Sequence, residues 1–184
     1  MKINVIKRNG DKEPLDLNKF HAVCIQACQD ISGVSASEIE IRSHIQFYNN
    51  IKTSEIQETL IKAAADLITE ETPNYQYVAA RLLLFGLYKQ VFGNDWKHGF
   101  PTVGEHLTKG IMKGIYDREL AGKYTDEEWD KLNSFIKHER DDHLTYAAME
   151  QFRGKYLVQN RVTKQIYETP QVAYLLIAAT LFQN

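Results

Sequence analysis

VIKRNGDKEPLDLNKF, residues 5–20, sets an Asn9-Gly10 pair between two short runs and crowds charge around it. Asn-Gly favours a two-residue type I′ hairpin turn, because both central positions need positive φ. Residues 3–8 and 12–15 therefore read as two strands. Lys7 and Arg8 stand just before the turn, and Glu13, Asp16 and Lys19 follow it. An exposed hairpin wears charges to protect its edges. The same charges can also hold basic groups out toward an anion. Lys19 falls in the first turn of the next helix, where the macrodipole already favours one.

Nearly everything after the hairpin reads as helix. Leu17, Phe20, Val23, Cys24, Ala27 and Cys28 form a helical stripe. Ser35-Ala-Ser-Glu38 has the form of a capping box opening a helix through Ile45 to Tyr48. Thr53 and Ser54 compete as the next N-cap, ahead of a face of Ile56, Leu60, Ala63, Ala64 and Leu67. Thr72-Pro73 predicts a fourth helix to about Phe92, apolar over much of its surface and hence central to its domain. Asn94–Pro101 reads as a linker. Thr102–Glu105 and Thr125–Glu128 are further capping boxes. Residues 154–168 suggest a strand, a turn around Thr163-Lys164 and a second strand, before Thr169-Pro170 starts a last apolar helix. Its apolar character suggests packing partners outside this chain. These signals divide the chain at 92/93.

Composition narrows the function. The 184 residues are 43% hydrophobic and 25% charged, with a net charge of −2, which is no basic excess for wholesale nucleic-acid binding. The start lacks an apolar h-region, and VAYLLIAATLF (172–182) is too short to span a bilayer, so a cytoplasmic protein is expected. The two cysteines, Cys24 and Cys28, share one helix face and read as small buried hydrophobes in a reducing compartment. KHERDDH (137–143) reads as a solvated, charge-laced face rather than a metal cluster. Walker A, dinucleotide-fingerprint, nucleophile-elbow and H-E-x-x-H motifs are absent. No metal site is expected. Basic groups at element ends remain: Lys7, Arg8, Lys19 and Lys89, with Thr53 at a helix start. They could converge on a polyphosphate if the hairpin folds over the helices.

Three stretches in order, VIKRNGDKEPLDLNKF (5–20), IKTSEIQETLIKAAADLI (51–68) and PNYQYVAARLLLFGLYK (73–89), resemble the ATP-cone domain of ribonucleotide reductase large subunits. IKHERDDHLTYAAMEQFRGKYLVQNRVTKQIYETPQ (136–171) resembles the segment leading into the catalytic barrel of the class I enzymes. The resemblance implies a mainly α fold, with a β-hairpin cap over a four-helix unit and a helical segment leading toward an α/β barrel. It implies a regulatory domain at 1–92 and the incomplete start of the catalytic domain at 93–184. It implies ATP or dATP, with Mg, as allosteric effector and no prosthetic group here. By position, the effector would be held by Lys7, Arg8, the run Glu13, Pro14, Leu15, Asp16, Leu17, Asn18 and Lys19, and by Thr53 and Lys89. Glu13 and Asp16 would accept from the adenine amino group. Partners would be the remainder of the large subunit and a radical-generating small (beta) subunit. Many relatives carry histidines where this chain has Gln57 and Gly86, and some carry asparagine at the position of Asp16. The family's chemistry needs a radical-forming cysteine and a redox pair, so this chain alone is expected to be catalytically inert. The competing reading is a stand-alone helical interaction module with a vestigial nucleotide site.

Overall fold

The structure, a computed structural model, describes residues 3–8, 10–44, 47–93 and 95–182. It is mainly helical with a small N-terminal sheet, and divides into two compact units: Met1–Gly86 with Asp142–Met149, and Leu87–Asp141 with Glu150–Asn184.

In the first unit, β1 (Asn4–Ile6) pairs antiparallel with β2 (Lys12–Pro14), matching Val5 to Glu13 and Ile6 to Lys12. That register places Lys7 opposite Asp11, whose carbonyl accepts the Lys7 N–H at 2.8 Å. The pairing of Lys7 with Asp11 leaves three positions between them, where Asn-Gly predicts a two-residue turn. Gly10, the last of the three, is left-handed, with φ of 91°. Asn9 lies outside the described residues.

Helix α1 (Leu17–Cys28) buries Phe20, Cys24 and Ala27, one side of the expected stripe. Helix α2 (Ala36–His44) stops short of Tyr48, which is not helical, while Ile45 and Gln46 lie outside the described residues. Its capping box does not close, because the buried Tyr75 intervenes. The Ser35 N–H donates to the Tyr75 hydroxyl, which itself donates to the Glu38 carboxylate. The sequence offered no sign of β3 (Ile51–Lys52), which adds in parallel to β1, Val5 beside Ile51 and Ile6 beside Lys52. Helix α3 (Thr53–Ala65) begins directly after it, so Lys52 rather than Thr53 or Ser54 is the N-cap residue. Helix α4 starts at Tyr75, after a turn at Thr72–Asn74, and runs to Phe92. Val78, Ala79, Leu82 and Leu84 are fully buried, as the continuous apolar run required.

Residues Leu87–Phe92 continue α4 but pack with the second unit. The Tyr88 ring centroid lies 5.0 Å from that of Trp96 and 4.9 Å from that of Phe100, and Phe92 lies 5.5 Å from Phe100. The expected linker contains a 3-10 turn, Asp95–His98. Helices α5 (Val103–Met112) and α7 (Asp126–Ser134) both open with complete capping boxes, at Thr102/Glu105 and Thr125/Glu128. The short α6 (Arg118–Ala121) lies between them. Helix α8 (Tyr146–Gln151) crosses the unit boundary and gives way to a π-turn, Phe152–Tyr156. A single bridge, Gln159 to Ile166, marks the expected hairpin, with Lys164 at φ 59° in its turn. Helix α9 (Pro170–Leu181) has Thr169 as N-cap and Pro170 at its start. It packs Val172, Leu176 and Ala179 with Val103, Leu107 and Trp129 into one core, and its Tyr174, Ile177 and Leu181 stay exposed.

The run 137–143 is not simply a solvated face. It forms a 3-10 helix whose Asp141 is buried and accepts from Gln171 Nε2 at 2.9 Å. His138 stacks on Phe100 with centroids 3.7 Å apart. No cluster of three metal-binding side chains occurs among the described residues.

Gly110 on α5 is glycine for a packing reason. A Cβ there would overlap Cδ2 and Cε2 of Tyr116. Gly110→Ala should therefore destabilise the second unit by about 1–3 kcal/mol, outweighing the roughly 1 kcal/mol that alanine gains in helix propensity. The check is urea unfolding followed by tryptophan fluorescence. Both tryptophans, Trp96 and Trp129, belong to this unit. An unchanged midpoint would mean the Tyr116 ring yields freely.

Candidate functional site

Three local decisions of the chain build a charged lip in the first unit. The hairpin register carries Lys7 to the loop end of β1 and Glu13 to the middle of β2. Asp16 then turns the chain into α1, its Oδ1 accepting from the N–H groups of Asn18 at 2.9 Å and Lys19 at 3.4 Å. This cap fixes Lys19 as the third residue of the helix.

Glu13 sits between the two lysines. Its Oε2 lies 2.6 Å from Lys7 Nζ and its Oε1 lies 4.0 Å from Lys19 Nζ, which is also 3.9 Å from Asp16 Oδ2. The hydrogen bond and charge of Glu13 hold the Lys7 ammonium above the usual lysine range, so it stays a cation. The Lys19 side chain is 70% exposed, and its contacts are long. An exposed pair of this kind contributes little to stability. What it does is keep two mobile cations assembled at one spot.

Thr53 joins them through the unforeseen strand. With Ile6 beside Lys52 in the parallel ladder, the next residues along each chain are Lys7 and Thr53. A threonine 46 positions away in sequence thereby opens its helix next to the hairpin's end.

The rest of the predicted run lines the rim. Arg8, Pro14, Leu17 and Asn18 are exposed, and Leu15 is half-buried. Leu17 offers an apolar side chain 53% open to solvent. One turn after Thr53, Gln57 is held down. Its Nε2 donates to the Leu82 carbonyl at 2.6 Å, and a Cβ on Gly86 would lie 3.1 Å from its Cγ. The amide of Gln57 thus lies against the bare backbone of Gly86, and the two positions are coupled. Lys89 is carried by the part of α4 assigned to the second unit.

The thiols are no part of this lip. Cys24 is fully buried in α1, and burial pushes its thiol up to about 12. Cys28 is half-buried and pushed up to about 11 for the same reason. Neither is poised as a thiolate at neutral pH.

In the second unit, sequence reading missed a buried polar chain. The Tyr116 hydroxyl donates to Glu168 Oε2 at 3.0 Å, leaving its oxygen to accept from His106 Nε2–H at 3.2 Å. Glu168 Oε1 accepts the Val158 N–H at 2.8 Å. Burial raises the Glu168 carboxyl above its ordinary value, partly offset by those two hydrogen bonds. Burial, then the nearby Lys109 and Lys113, lower His106 to about 4. These partners lie up to 52 positions apart in sequence and share no motif.

The ATP cone domain family matches residues 3–90 of this chain. Over 180 residues, 98% of its length, the chain is 51% identical to ribonucleoside-diphosphate reductase 1 subunit alpha of Salmonella typhimurium, and 49% identical to the protein of that name from Escherichia coli. It is 42% identical over 184 residues to the ribonucleoside-diphosphate reductase subunit alpha of Enterobacteria phage T4. The match covers 23–24% of the length of these relatives.

Proposed function

We propose that this chain is the allosteric nucleotide-binding region of a ribonucleoside-diphosphate reductase alpha subunit, a reading supported by the match of residues 3–90 to the ATP cone domain family and by the likeness of the whole chain to part of such subunits. The observation that carries this reading is the lip itself: Lys7 and Lys19 gathered on Glu13, with Thr53 starting its helix directly after the strand that pairs with β1. Lys7 and Lys19 turn from Glu13 to the phosphates of ATP or dATP as point charges. The Thr53 hydroxyl donates to a phosphate oxygen. Glu13, released from both lysines, accepts from the adenine amino group, with Asp16 beside it still holding its cap. Arg8, Pro14, Leu15, Leu17, Asn18 and Lys89 complete the set by position, and Mg, when bound, neutralises phosphate charge.

Reduction of ribonucleotides to deoxyribonucleotides belongs in this reading to the longer subunit, working with a radical-generating beta subunit in the cytoplasm. The thiols of Cys24, buried, and Cys28, half-buried, both pushed up in pKa, support a purely regulatory role for the residues present. Among the described residues no helix is long and apolar enough to cross a membrane. The stand-alone interaction module is not favoured, because the likeness to the alpha subunits runs through 98% of the chain. The pinned, uncharged Gln57 amide against Gly86 favours similar affinity for ATP and dATP.

Calorimetry of the whole chain with Mg-ATP should show saturable binding. Lys7→Ala should weaken it by about 1–3 kcal/mol, the loss expected for a charge-assisted contact. The dATP isotherm should lie within several-fold of the ATP one. An absence of heat and of thermal shift at millimolar nucleotide would overturn the site.

A further inference from the structure

The second unit contains a cavity of about 320 Å³ that the nucleotide reading leaves unused. His106, Lys109 and Gly110 of α5 line it together with Lys113, the C-cap residue of that helix. Tyr116, Gln90 and Gln165 line it as well. Gly110 is bare so that the Tyr116 ring can lie against the helix. That ring is then fixed by the hydrogen bonds to His106 and Glu168.

Its charge is one-sided. Neither Lys109 nor Lys113 makes an ion pair among the described residues, and no carboxylate lines the cavity. The nearest acid in the framework, Glu168, stands behind Tyr116 with both oxygens engaged by Tyr116 and Val158. His106 is neutral at physiological pH and adds no cation of its own. Two ammonium groups one turn apart thus share the cavity with the amides of Gln90 and Gln165, each of which gives an N–H to a backbone carbonyl, of Lys164 at 3.5 Å and of Ile166 at 3.2 Å, and keeps a second N–H.

We infer that this cavity binds a phosphate group, with Lys109 and Lys113 as its cations and Gln90 and Gln165 as neutral donors. It is separate from the lip on the first unit and uses none of its residues. A cavity of this volume is at the small end of ligand sites. It suits inorganic phosphate or the phosphate end of a small ester.

The test is an NMR titration of the isotopically labelled whole chain with inorganic phosphate, ionic strength being held constant with chloride. The expected result is saturable shifts centred on the amides of Lys109, Gly110, Lys113 and Tyr116. The double variant Lys109→Gln/Lys113→Gln should weaken binding by about tenfold or more. Both lysines are exposed, and tryptophan fluorescence will report whether the variant keeps its fold. Lys7→Ala, which disables the other site, should leave these shifts unchanged. A parallel titration with a nucleoside monophosphate separates the sources: tighter saturation than phosphate assigns the cavity to an ester, and equal or weaker saturation assigns it to the free ion. Shifts that rise linearly, that spread over surface lysines generally, or that survive in the folded double variant would overturn the inference.

Discussion

Lowering the pH from 7 to about 4 should strip the second unit of several kcal/mol of stability, the largest effect expected for this chain. Two histidines are the cause. His106 is lowered to about 4 by burial and then by Lys109 and Lys113. His138 is lowered to about 4 by burial, which outweighs the opposing pull of Glu139. His138 stacks on Phe100, and its buried Nδ1 has no hydrogen-bond partner among the described residues. A proton placed there would find no acceptor. Both folded-state values lie below the ordinary histidine value of 6.5. Between about 4 and 6.5 the unfolded chain binds more protons than the folded one, so stability falls as pH falls through that window. His106 accounts for about 2–3 kcal/mol by pH 4, because a tenfold difference in proton affinity between the two states is worth about 1.4 kcal/mol, and the partly exposed His138 accounts for less, being screened by solvent. Glu168 acts with the opposite sign. Its raised folded value means the folded state takes up a proton first on acidification, and the resulting gain partly offsets the histidines. Urea unfolding between pH 7 and 4.5, followed by the fluorescence of Trp96 and Trp129, measures the slope. His106→Gln should remove the larger part of it, and His138→Phe, which keeps the stack, should remove much of the rest. A flat profile in the unmodified protein would show that both imidazoles are protonated without cost.

Leu84→Ala should cost the first unit about 2–5 kcal/mol, the range for deleting a fully buried leucine side chain. Leu84 is 0% exposed within α4, the helix buried over most of its surface. Domains of this size are stable by only about 5–15 kcal/mol, so the variant should lose a large fraction of its margin. The loss has a signature. Helical circular dichroism reports both units, whereas the two tryptophans report only the second. The midpoint by dichroism should therefore move further than the midpoint by fluorescence. Saturating Mg-ATP should restore part of the difference, because a ligand of the folded state stabilises it by mass action. A change under about 0.5 kcal/mol, the usual bound for a surface substitution, would mean that α4 closes over the cavity.

Elements specified by neighbours along the chain are legible in the amino-acid order alone. Thr102 with Glu105, Thr125 with Glu128, and Thr169-Pro170 each open the helix they announce. Long-range competition explains the failures. Glu38 would have closed a box with Ser35, but the Tyr75 hydroxyl, 37 positions away, engages both partners. Asn9-Gly10 suggested a two-residue turn, but the Ile6–Lys12 register adds Arg8 to the loop. β3 has only two residues, too few for any alternation to reveal. The site divides the same way. The residue types of the lip could be read from the hairpin and the first turn of α1. The sharing of Glu13 by Lys7 and Lys19 depends on strand register, and the start of α3 at Thr53, directly after the strand beside β1, depends on a parallel pairing. The His106–Tyr116–Glu168 chain has no sequence signature, since its spacing is set by the packing of α5 against segments far along the chain.

The return of residues 142–149 to the first unit means that the backbone passes between the units three times, after Gly86, after Asp141 and after Met149. Residues 87–141 are thus an insertion, a loop pinned at both ends by the first unit. Such a loop, when it melts, gains less freedom than an open tail of equal length, because its ends stay anchored. A fragment ending at Gly86 would keep the charged lip but lack Met149, a fully buried residue of the first unit. No single break in the backbone can release the two units as separate complete pieces.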